Sequence, residues 1–69
     1  MKQSGMFDKN KVEIKQGDIV MVALPEKDCY WRGVVRCYGL YFEIQFDATQ
    51  SPLSNYASNA VEVIGNIFE

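Results

Sequence analysis

The run from Tyr30 to Asp47 constrains the fold more than any other part of the chain. Two stretches rich in β-branched and aromatic residues flank Gly39-Leu40 there. A two-residue connection that begins with glycine marks a tight β-hairpin with a type II′ turn, because glycine takes positive φ at the first central position without a Cβ clash. With those two residues as the loop, Tyr38 faces Tyr41, Cys37 faces Phe42, Arg36 faces Glu43 and Val35 faces Ile44. Further out, Val34 meets Gln45, Gly33 meets Phe46 and Arg32 meets Asp47. Side chains alternate faces along a strand, so one face gathers Cys37/Phe42, Val35/Ile44 and Gly33/Phe46. The other carries two opposite-charge pairs, Arg36/Glu43 and Arg32/Asp47. Each cross-strand pair is worth about 0.2–1 kcal/mol. A slip of one residue would bury the charges and expose the apolar row, so the register is strongly specified.

Before the hairpin, residues 1–10 are polar and mixed in charge, and read as a flexible arm with Met6 and Phe7 as its only anchors. Lys11–Ile14 alternates and reads as a short lead-in strand, followed by a turn at Gln16-Gly17-Asp18. Ile19–Leu24 is a strand apolar on both faces, ended by Pro25, with a polar loop over 25–28. After Phe46, turn formers dominate 47–52. Leu53–Tyr56 reads as a fourth short strand, and Ala57-Ser58-Asn59 as a tight 3-10 turn before a closing strand at Ala60–Ile64. The expected fold is all-β, a small five-stranded barrel over 11–65 with a short 3-10 turn before the last strand and a tail at 66–69. Closure removes exposed edges, which a short chain tolerates poorly.

With 69 residues, one domain is expected; chains this short bury only about 60% of their unfolded surface. The net charge of −2 supplies no field for a nucleic-acid backbone, whose contacts need clustered Lys and Arg. Two cysteines, Cys29 and Cys37, make no disulfide framework, and with no histidine a zinc site is not expected. No cofactor is implied. No run has the length of a membrane span or the pattern of a signal peptide, so a reduced cytoplasmic protein is expected.

Gly17-Asp18-Ile19-Val20-Met21-Val22-Ala23, Asp28-Cys29-Tyr30-Trp31-Arg32-Gly33-Val34-Val35 and Phe42-Glu43-Ile44-Gln45-Phe46-Asp47 together resemble the Tudor and wider SH3-like barrel families. The resemblance covers about Gly17 to Ile64. It implies an aromatic cage for methylated lysine or arginine, in which a cation sits over ring faces. Trp31 and Phe46 match two cage positions, and Tyr30 and Tyr41 are expected near enough to contribute. Two further cage positions fall near Leu24 or Pro25 and near Thr49, which are not aromatic. The plainer alternative makes Phe46 core and Trp31 a cover over one barrel end.

The function expected from these residues is a non-catalytic binding module for a protein segment. Its surface is Tyr30, Trp31, Tyr41 and Phe46, with Arg32 and Asp47 at the rim and Trp31 as anchor. Tyr38 and Tyr41 flank the turn, either for partner contact or for cross-strand packing. With Val20 and Val22 inward, Ile19, Met21 and Ala23 form an outer apolar stripe, which suits either a homo-oligomer or cover by the N-terminal arm.

Two other classes compete. Trp31, Tyr30 and Tyr41 beside Arg32 and Arg36 have the mixture used by barrels that bind single-stranded nucleic acid. Trp31-Arg32-Gly33-Val34-Val35 and Tyr56…Ala60-Val61-Glu62-Val63-Ile64 also resemble the type II dihydrofolate reductases, whose site is the pore of a tetramer. That family carries Val-Gln-Ile-Tyr where this chain has Leu53-Ser54-Asn55-Tyr56, so Ser54 replaces the pore glutamine.

Overall fold

The computed structural model describes residues 3–23 and 29–68. The expectations for Leu24, Pro25 and the polar loop after them lie outside these residues. The described chain is all-β, with seven strands: β1 (Gln3–Phe7), β2 (Glu13–Lys15), β3 (Asp18–Ala23), β4 (Tyr30–Tyr38), β5 (Tyr41–Gln45), β6 (Gln50–Pro52) and β7 (Val61–Asn66). Strands β6-β5-β4-β3-β7 form one antiparallel sheet in that order, and β1-β2 form a second. Among the described residues no ladder joins the two edge strands β6 and β7, so the larger sheet is open.

The central hairpin has the register that its turn dictates. Tyr38 pairs with Tyr41, Cys37 with Phe42, Arg36 with Glu43, Val35 with Ile44 and Val34 with Gln45. Gly39 has φ +68° and Leu40 stays out of the left-handed region, the pattern of a type II′ turn. The ladder stops at Gln45, but Gly33 still lies against Phe46. A Cβ built on Gly33 would sit 2.5 Å from Ile44 Cγ2 and 2.9 Å from the Gln45 carbonyl. Only glycine permits β5 to approach β4 this closely.

Alternation along β3 buries Val20 and Val22 and leaves Ile19, Met21 and Ala23 half-buried on the other face. The inward residues join Ile14, Val35, Ile44, Phe46, Leu53 and Val61 in one core. Ile19, Met21 and Ala23 stand opposite Val34, Arg32 and Tyr30. Met6 packs against the core rather than this stripe, so the N-terminal segment covers the inner side of the sheet. Ile64 is the extra residue of a bulge between Val63 and Gly65, which turns it outward.

The closed barrel expected over 11–65 is instead an open five-stranded sheet with a separate two-stranded one among the described residues, and two further expectations change. Residues 1–10, read as an arm, contain β1, whose pairing rests on polar groups that hydropathy patterning does not weigh. The Ser4 hydroxyl donates to the Ile14 carbonyl at 2.7 Å. Asp8, only 3% exposed, accepts through Oδ1 from the backbone N–H of Asn10 (2.9 Å) and Val12 (2.8 Å), and through Oδ2 from Val63 (2.8 Å). The Lys9 N–H donates to the Val61 carbonyl at 2.9 Å. The loop between β1 and β2 is thereby stapled to the outer edge of β7. Burial alone would raise the Asp8 pKa; the N–H groups of Val63, Val12 and Asn10, with the Lys9 charge, outweigh it and hold the carboxyl below its ordinary range.

Leu53–Tyr56, read as a strand, instead opens with a 3-10 turn at Leu53–Asn55, and the strand lies earlier at Gln50–Pro52. The Leu53 side chain at the start of this turn is seated in the core. The second 3-10 turn, Ser58–Ala60, precedes β7 as expected.

Candidate functional site

The first residues of β4 and the turn after β5 build a cleft at one end of the sheet. Tyr30 pairs with Ala23 and Trp31 with Val22, which sets both at the start of β4. Across the cleft the Phe46 N–H donates to the Thr49 carbonyl at 2.8 Å, closing a turn that presents Asp47 and Ala48. The resulting cavity has a volume of about 430 Å³ and is lined by Tyr30, Trp31 and Arg32 on one side and by 46–49 on the other.

Five of the six residues expected at the site therefore converge: Tyr30, Trp31, Arg32, Phe46 and Asp47. Tyr41 does not. It begins β5 opposite Tyr38, at the far end of a strand that runs roughly 27 Å from Tyr30. There it lines a smaller groove with Met6, Phe42 and Leu53. The expected nearness of Tyr30 and Tyr41 fails because a two-residue turn places Tyr41 beside the last residue of β4, not the first. Thr49, where the resemblance put a non-aromatic cage position, does line the cleft, and Ala48 is a lining residue that sequence reasoning did not select, since a polar turn carries no pattern that distinguishes a cleft wall from an ordinary loop.

The rings divide their work. Phe46 is 8% exposed and Trp31 41% exposed. Their centroids lie 5.4 Å apart at an interplanar angle of 71°, and Phe46 meets Tyr56 on another side at 6.4 Å and 77°. Edge-to-face contacts of this kind add about 0.5–1.5 kcal/mol beyond burial. Phe46 is thus the fixed floor, while Trp31 and Tyr30 supply the accessible aromatic area.

The charges behave differently from expectation. Arg36 stands opposite Glu43 in register, and Arg32 and Asp47 line the same cleft. Among the described residues, however, the ion pair within 4.0 Å is Lys9–Glu62, at 3.5 Å, and neither arginine takes part in one. Long side chains over an exposed sheet face gain little from pairing in water and lose rotamer freedom by it. Both guanidinium groups therefore remain available on the outer face of β4.

No group of three or more His, Cys, Asp and Glu side chains among the described residues is placed to hold a metal ion. No helix among them is long and apolar enough to cross a membrane. No curated protein and no solved structure matches the chain. A family model described as YopX protein matches residues 1–69. That match spans the whole chain, which therefore belongs to the YopX protein family.

Proposed function

We propose that this chain is a non-catalytic binding module of SH3-like, Tudor-resembling architecture, and that it recognises an extended protein segment through the cleft between Tyr30–Arg32 and Phe46–Thr49. The carrying observation is the convergence of an exposed tryptophan, an exposed tyrosine and a buried phenylalanine floor on one cavity of about 430 Å³. A cleft of that size accepts one large side chain, and a rigid aromatic anchor supplies contact area at low entropic cost. A methylated or otherwise cationic side chain suits it, because Trp31 and Tyr30 offer π-electron density and Asp47 a carboxylate beside them. The five-strand order β6-β5-β4-β3-β7 supports an SH3-like reading of the larger sheet.

The test is an amide chemical-shift titration with peptides that carry methyl-lysine or methyl-arginine, on the wild type, Trp31→Ala and Tyr30→Ala. Shifts confined to Tyr30–Arg32 and Phe46–Thr49, lost in both variants while the fold persists, are the expected result. Tyr30 is 63% exposed, so its removal leaves the core intact even if Trp31→Ala unfolds the sheet. Peptide binding that survives Tyr30→Ala, or shifts spread away from the cleft, would refute the reading.

A further inference from the structure

A second groove, of about 560 Å³, runs along the outer face of the central hairpin and shares Arg32, Phe46 and Asp47 with the aromatic cleft. Its floor is Ile19 and Val34, and Arg36 stands at the end away from the cleft. Cleft and groove are therefore one continuous surface, with Arg32 at the junction. Arg32 and Arg36 lie on the same face of β4, four residues and about 13 Å apart. Both are exposed, and neither forms an ion pair or a hydrogen bond with another described residue. On a chain with net charge −2, two exposed guanidinium groups stand in line over an apolar floor, outside ion-pair distance of Glu43 and Asp47.

We propose that the protein segment entering the aromatic cleft is acidic beyond its anchor, with carboxylates that meet Arg32 and Arg36. This rests on the cleft reading above and extends it to the sequence of the partner. In an extended segment, residues i and i+4 point to the same side and stand about 13 Å apart, the spacing of Arg32 and Arg36 along β4. Arginine is suited to this task because its fork of N–H groups receives a carboxylate through two parallel hydrogen bonds. Gln45, between the two arginines on the neighbouring strand, adds an amide for the segment's backbone. A nucleic-acid strand fits less well, since it brings a charge at every nucleotide, whereas the described lining of this groove holds two cationic groups, Arg32 and Arg36.

The experiment compares three peptides that share one methyl-lysine anchor: one with glutamates four residues apart, one with glutamines there, and one with lysines. Binding is followed by fluorescence anisotropy on the wild type, Arg36→Gln, Arg36→Lys and Tyr30→Ala. The glutamate peptide should bind tightest, and Arg36→Gln should weaken it about five- to tenfold while leaving the glutamine peptide unchanged. Arg36→Lys should recover part of the loss and increase the salt dependence. If all three peptides bind alike and only Tyr30→Ala matters, the acidic-segment proposal fails and the cleft reading survives. If no peptide binds, both fail. If a single-stranded oligothymidylate displaces the glutamate peptide at lower concentration than unlabelled peptide does, the groove serves nucleic acid and the proposal is overturned.

Discussion

Removal of the Asp8 carboxylate tests the polar staple between the N-terminal hairpin and β7. Three backbone N–H groups, from Asn10, Val12 and Val63, donate to it at 2.8–2.9 Å. A hydrogen bond to a charged group contributes about 1.5–3 kcal/mol, and the three are not additive because they share one acceptor. Asp8→Ala leaves all three donors without their partner, so a loss of about 3–5 kcal/mol is expected. A domain of this length has a total stability of roughly 3–10 kcal/mol. The variant should therefore be largely unfolded or close to it at room temperature. Asp8→Asn keeps one oxygen for the two loop amides and turns an NH₂ group toward Val63 N–H, at a cost of about 2 kcal/mol.

The sign with pH follows from the lowered pKa. The stabilisation from Asp8 is fully present above the ordinary carboxyl value of 3.8 and is lost as pH falls below it, through the lower folded value. Urea unfolding at neutral pH and along an acid series, followed by tryptophan fluorescence, measures both effects. The reasoning is refuted if Asp8→Ala unfolds within about 1 kcal/mol of wild type, or if Asp8→Asn leaves the acid limb of the stability curve unchanged.

Three further substitutions separate steric from backbone effects. Gly33→Ala places a Cβ against Ile44 and the Gln45 carbonyl, so it should cost about 2–3 kcal/mol, and a loss under half of that in thermal melts contradicts the close approach. Gly39→Ala meets open space but keeps φ at +68°, so only about 1 kcal/mol should be lost. Lys11 sits at φ +64°, and Lys11→Gly relieves that conformation; the melting temperature should rise by a few degrees, about 0.5 kcal/mol, and a drop would show the site to be unstrained.

The parts of the fold that were legible in the sequence are those fixed by local chemistry. Gly39-Leu40 set a turn with one register, and that register settled every pair down to Val34–Gln45. Val20 and Val22 point inward because β3 alternates with a partner on each side. What escaped depends on groups brought together from far along the chain. Strand β1 has no apolar alternation; it is held by Ser4 and by a carboxylate whose third partner is Val63. The position of β6 escaped because Gln50–Pro52 looks like turn sequence, and only the pairing of Pro52 with Glu43 and of Ser51 with Ile44 makes it a strand. At the candidate site, Tyr30, Trp31, Arg32, Phe46 and Asp47 were legible as neighbours because the hairpin register sets the start of β4 beside the end of β5. The error over Tyr41 came from treating proximity to the turn as proximity to the open end. The expected ion pairs were an inference from register, which sets Cα positions but not where flexible arginines rest.

The bond from Val63 N–H to Asp8 Oδ2 spans 55 positions of the chain. Until Val63 is in place the Asp8 carboxylate has only its local donors, the N–H groups of Asn10 and Val12. Closure then depends on the β3–β7 ladder having brought Val63 near, so the N-terminal flap latches only after a long loop of the chain has been closed.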